Sequence, residues 1–133
     1  MIVTVTPFLR KALLIDAAGS AAVGVALVAA PAPLADLFAL PRMLLLVVGI
    51  LIFGWVALLI VAARRRELAA ALAWAFVWGN ALYVVASFGI LILGIVQPNG
   101  LGVLFVAAQA IAVALFALLQ GMAIRGRSAI TTA

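Results

Sequence analysis

Two ionisable side chains, Asp16 and Tyr83, lie within the long apolar stretches of this sequence. The chain has no Cys and no His, so thiolate and imidazole nucleophiles and the common zinc and haem ligand sets are missing. A lone carboxylate can bind a proton or a cation, but it has no visible catalytic partner, and catalysis needs a positioned nucleophile, base or metal. We therefore expect a non-enzymatic protein with no cofactor and no metal site. The remaining polar groups are neutral: Ser20 near Asp16, then Asn80, Tyr83 and Ser87, and finally Gln109 and Gln120. Each must find a partner or cost free energy if hydrocarbon surrounds it.

Their spacing is helical. At about 100° per residue, Asn80, Tyr83 and Ser87 share one stripe with Ala73, Phe76 and Gly94. Gly102, Phe105, Gln109, Phe116 and Gln120 form a second stripe, and Asp16, Gly19, Ser20 and Val23 a third. A fourth, Gly49, Phe53 and Val56, carries no strongly polar group. The polar stripes fit two roles. They can be glue, since hydrogen bonds between membrane helices contribute about 0.6 kcal/mol on average, or they can line a cavity for the polar part of a substrate. Asp16 best supports the second role, because an acidic group inside a span is a functional candidate by default. It also lies near a helix end, where Arg10, Lys11 or Arg125 could neutralise it.

The elements that position these groups follow from composition. Of 133 residues, 71% are hydrophobic and 8% charged, and the mean hydropathy is +1.49. A soluble domain runs near 45–50% apolar and about 25% charged. So small a globule cannot bury that much apolar surface, so we expect an all-α integral membrane protein. Runs of about 20 apolar residues match roughly 30 Å of hydrocarbon. Four such spans are expected, at about 12–30, 43–63, 68–96 and 101–124. Pro31, Pro33 and Pro41 break the first connection, Arg64-Arg65-Arg66-Glu67 forms the second, and Gln97-Pro98-Asn99-Gly100 reads as a tight turn. Short links predict an antiparallel four-helix bundle in a single domain.

Between the first two spans, Pro33–Leu40 is too short to cross; Leu34, Leu37 and Phe38 share a face, which predicts a short interfacial helix. The first span has the outline of a signal peptide, but its length, Asp16 and the prolines that follow predict retention. Seven cations (Arg10, Lys11, Arg64, Arg65, Arg66, Arg125 and Arg127) fall on one side and Arg42 alone on the other. Positive residues collect on the cytoplasmic side, so both termini are expected there. The net charge of +5 is mostly this topology signal. It implies contact with membrane lipids and no nucleic-acid partner.

Counting from the arginines, Asn80 lies roughly 21 Å and Gln109 roughly 24 Å deep at 1.5 Å per residue. These two are expected to meet near mid-bilayer, with Asp16 and Gln120 pairing closer to the cytoplasmic end. Gly19, Ser20, Gly24, Gly49, Gly79 and Gly102 would let backbones approach. Trp74 and Trp78 point away from Asn80 and Ser87, and Trp55 lies off the Gly49 stripe. The three tryptophans are expected on a face toward lipid or a partner chain.

The segments Leu14-Ile15-Asp16-Ala17-Ala18-Gly19-Ser20, Gly79-Asn80-Ala81-Leu82-Tyr83-Val84-Val85-Ala86-Ser87, Gln109-Ala110 and Leu119-Gln120 resemble small four-span bacterial membrane proteins without assigned activity. That resemblance implies a multi-pass protein of the bacterial cytoplasmic (inner) membrane. In outline the chain is also similar to small multidrug resistance transporters, which have four short spans and an acidic residue in the first. Asp16 stands where that family uses Glu, and the family's fourth-span dimer motif is not recognisable. DoxX-like proteins share the span count and size, without their Arg- and Gly-rich opening here. Outline alone does not carry function. The first expectation is a small helical component binding a membrane partner, a lipid or another lipophilic ligand. The alternative is a small homo-oligomeric transporter or channel using Asp16 and the polar seam.

Overall fold

The computed structural model describes the backbone of residues 1–131 and the side chains of residues 1–126, so the Arg127 side chain counted above lies outside the described residues. The chain is helical apart from one small ribbon. Strand β1 (Ile2–Thr4) leads into α1 (Pro7–Ala29), followed by α2 (Pro31–Phe38) and α3 (Arg42–Arg64). Strand β2 (Glu67–Ala69) then precedes α4 (Ala70–Ile92) and α5 (Gly100–Thr131). Helices α1, α3, α4 and the 100–126 part of α5 are each long and apolar enough to cross a membrane.

Element boundaries depart from the sequence expectation in ways local chemistry explains. Helix α1 begins five residues early: Thr6 is its N-cap, its Oγ1 accepting from the Leu9 N–H at 3.1 Å, and Pro7 takes the first helical position. Arg10 and Lys11 are thus inside the helix. It ends at Ala30, where the following Pro31 disfavours helical backbone. The short helix expected at Pro33–Leu40 is present as α2. It buries Ala35 and Phe38, while Leu37 faces outward. Its end is marked by Ala39 in the left-handed region, φ 54°, with the Leu40 N–H returning to the Ala35 carbonyl at 3.1 Å.

The segment Arg64–Glu67, expected as a charged loop, leads into β2. Antiparallel pairing joins Ile2 with Ala69, Val3 with Leu68 and Thr4 with Glu67. The Val5 N–H bonds the Arg66 carbonyl at 2.8 Å and the Ala70 N–H the Met1 carbonyl at 2.9 Å. Val3, Val5 and Leu68 point inward, toward the ends of α4 and α5 that β1 touches. The β-branched residues Ile2, Val3, Thr4, Val5 and Thr6 tolerate this extended backbone. As a consequence α4 starts at Ala70 and not at 68. It stops at Ile92, just before Gly94 turns the chain with φ 69°.

Helix α1 packs on α3 and on α5, and α4 packs on α5. The α1–α3 contact is close because Gly24 and Gly49 face it. A Cβ on Gly49 would come within 2.9 Å of Leu27 Cβ and Val28 Cγ2. Between α3 and α4 the indole of Trp55 spans the gap, edge-on to Phe76 at 5.3 Å and against Gly79. At the other end Asn99 ties α2 to α5. Its Oδ1 accepts from the Gly102 N–H and its Nδ2 donates to the Leu37 carbonyl, both at 2.8 Å, beside the stacked Phe38 and Phe105 rings at 4.5 Å.

The outside is as apolar as the core. Trp78, Leu82 and Val85 on α4 are each close to 70% exposed. In the apolar windows of the four long helices, between 11% and 33% of residues are buried, so most of this hydrophobic surface faces out. Patches this extensive are foreign to soluble monomers.

Candidate functional site

The inward stripes of α1, α4 and α5 bring the polar groups together because those groups occupy core positions of otherwise apolar stripes. Leu9, Leu13, Gly24 and Leu27 are buried on the face of α1 that carries Asp16. Ala73 and Phe76 flank Asn80 on α4. On α5, Val113 and Ile124 flank Gln120. Asp16 and Gln120 have no exposed surface and Asn80 is 4% exposed. One residue from each of three helices therefore converges on a single layer.

Asp16 is its centre and accepts at both oxygens. Its Oδ2 takes Asn80 Nδ2 and Gln120 Nε2, each at 2.8 Å, and its Oδ1 takes Ser20 Oγ at 2.9 Å. Asn80 Nδ2 also donates to Gln120 Oε1 at 3.3 Å, closing a ring of contacts. Ser20 is one turn along α1 and locks the carboxyl from its own helix. Among the described residues no buried side-chain nitrogen or oxygen lacks a partner, as a fully satisfied network requires.

Two of the three cations expected to neutralise Asp16 are engaged elsewhere, and the third, Lys11, is exposed while Asp16 is fully enclosed. Arg10 donates through Nε to the Ala63 carbonyl at 2.8 Å. Arg125 lies over the Trp74 ring, 5.8 Å from its centroid. The partners of Asp16 are neutral amides and a hydroxyl.

The expected meeting of Asn80 with Gln109 does not occur. Counting started from the arginines, and neither Arg66 nor Arg125 marks a helix end. Measured from Pro7, Ala70 and Thr131, residues 16, 80 and 120 lie about 14, 15 and 16 Å along their helices at 1.5 Å per residue. They share a level, and Asn80 meets Asp16 and Gln120. Gln109 instead donates to the Tyr83 hydroxyl, a second link between α4 and α5. Ser87 donates back to the Tyr83 carbonyl at 2.7 Å within its own helix and, among the described residues, bonds no neighbouring helix. The expected single seam is thus a three-helix layer plus a separate two-helix pair.

The tryptophans also divide. Trp78 points outward at 70% exposure. Trp55, expected on an outer face, turns in against Phe76 and Gly79, because Gly79 leaves room that any side chain would fill. Trp74 is half-buried at the end of a groove between α4 and α5, of about 460 Å³. Val77, Ala81 and Val84 form its α4 wall, and Ala114, Ala117 and Gly121 its α5 wall, with Arg125 beside Trp74. Small side chains hollow the α5 wall. Sequence reasoning missed this groove, although Ala114, Ala117, Gly121 and Arg125 recur at the 3, 4, 4 spacing of one helix face.

Comparison of the chain with protein-family models, curated proteins and solved structures finds no match.

Proposed function

We propose that this chain is a non-enzymatic integral membrane protein that holds a lipophilic molecule against α4 and α5. In this reading the four long helices form an antiparallel bundle in a bacterial cytoplasmic membrane, both termini lie in the cytoplasm, and the polar layer fixes the helices to one another. The observation that carries the reading is the groove: concave, almost wholly apolar, and ending on a guanidinium and an indole. Ligand sites are typically clefts of roughly 300–1,000 Å³ with few polar groups. The layer around Asp16 is closed and internally satisfied, which suits a structural role better than a solute path.

Native mass spectrometry from a mild detergent tests the reading. A stoichiometric lipophile bound to the chain is the expected result, and a lone monomer with nothing bound would overturn it. A membrane-protein partner or a second copy would appear in the same spectrum. The buried Asp16 favours a second reading, a small homo-oligomeric transporter or channel in which that carboxylate takes part in the translocation of a cation.

A further inference from the structure

We infer that the α4/α5 groove is a binding site for one anionic phospholipid of the leaflet on the Arg125 side, its phosphate against the guanidinium and one acyl chain along the groove. This rests on the membrane reading above and adds the chemistry of the occupant. The first ground is length. From Arg125 to Ala114 is 11 residues of α5, about 16 Å at 1.5 Å per residue, close to half of a hydrocarbon core of roughly 30 Å. The groove therefore runs the depth of one leaflet and no further.

The second ground is the pairing at its end. Trp74 and Arg125 sit together, an amphipathic ring and a long cationic side chain of the kinds that settle at headgroup level. Arg125 is exposed, and none of the three acidic side chains lines the groove. Asp16 is enclosed in its layer, Asp36 belongs to α2 beside the start of α5, and Glu67 is in β2. The guanidinium lies over the indole, 5.8 Å from its centroid, and its planar fork of N–H groups suits two phosphate oxygens. Charge complementarity thus selects an anionic headgroup.

The third ground is shape. Ala114, Ala117 and Gly121 hollow the α5 wall, which Leu118 and Met122 complete, and a volume of about 460 Å³ accommodates one acyl chain.

The test uses the full chain in nanodiscs holding equal amounts of phosphatidylglycerol and phosphatidylcholine, with retained lipid counted by native mass spectrometry. Wild type is expected to retain phosphatidylglycerol over phosphatidylcholine by about fivefold, the weight of one interfacial cation. Arg125→Gln, at an exposed position, should keep a bound lipid and lose the preference, and Lys11→Gln, also exposed, should leave both unchanged. Ala117→Phe should lower retention of either lipid. Equal retention by wild type, or equal effects of the Arg125 and Lys11 variants, would overturn the headgroup assignment and leave lipophile binding standing. A lipid-free dimer, or no lipid retained by any variant, would overturn both.

Discussion

Asp16 lies in a bundle interior with an unusual division of labour between its two oxygens. One faces two amide donors, Asn80 and Gln120, and the other faces only the Ser20 hydroxyl. A hydroxyl can donate or accept, so an Asn side chain fits with its oxygen toward the amides and its NH2 toward Ser20. Asp16→Asn should therefore stay within about 1 kcal/mol of wild type in thermal or denaturant unfolding in mild detergent. Asp16→Ala removes the acceptor from three groups at once and should lose about 2–3 kcal/mol. Equal losses in the two variants would contradict this account of the layer. Because the Asn variant should keep the fold, it also separates the functional readings. Proteoliposome flux that differs from wild type, in rate or pH dependence, would favour the transporter; unaltered flux would remove Asp16 from the mechanism, and no flux in wild type or variant would remove the transporter reading. That Asp16, Asn80 and Gln120 face inward was legible from helical spacing. So was the pairing of Asp16 with Gln120; that Asn80 joins these two and not Gln109 was not, because its level depends on where the helices end.

At the scale of elements, side-chain size at crossing points decides how the helices sit. Gly79 faces the Trp55 indole so closely that a Cβ would come 2.5 Å from its Cη2. Gly54, one residue before that tryptophan, has open space around it. Gly79→Ala is expected to cost about 1–3 kcal/mol through overpacking, and Gly54→Ala to be neutral or stabilising by up to about 1 kcal/mol. The cost at Gly79 should shrink when Trp55 is replaced by Leu; a double-mutant cycle without coupling would place the strain elsewhere. The lengths of the apolar runs made four helices readable from sequence, and prolines made the break before α2 readable. The ribbon was hidden because its halves, Ile2–Thr4 and Glu67–Ala69, are short and pair residues 63 to 67 positions apart. Only their pairing makes either a strand. Similarly, Asn99 reads as part of a turn, and its capping of α5 appears once the Leu37 carbonyl is beside it.

Over the whole molecule, hydrophobicity does not sort inside from outside. Leucines fill the core, as at Leu9, Leu13 and Leu59, and leucines cover the exterior, as at Leu51, Leu82 and Leu118. Polarity does the sorting, with Asp16, Asn80 and Gln120 enclosed. This inversion is the expected solution when lipid is the solvent, since an apolar exterior costs nothing there and a polar one costs several kcal/mol per unsatisfied group. It was legible in composition, whereas the groove was not, because its walls come from two helices that must first be packed. The most direct measurement is a spin-label scan along α4 in lipid bilayers. The chain has no native Cys, so single cysteines can be placed without other changes. Collision with dissolved oxygen should oscillate with the helical period, highest at positions 78, 82 and 85 and lowest at 76 and 80, with little access for a water-soluble reagent at the peaks. High access for the aqueous reagent at 78, 82 and 85, or an oxygen maximum at 80, would contradict the account.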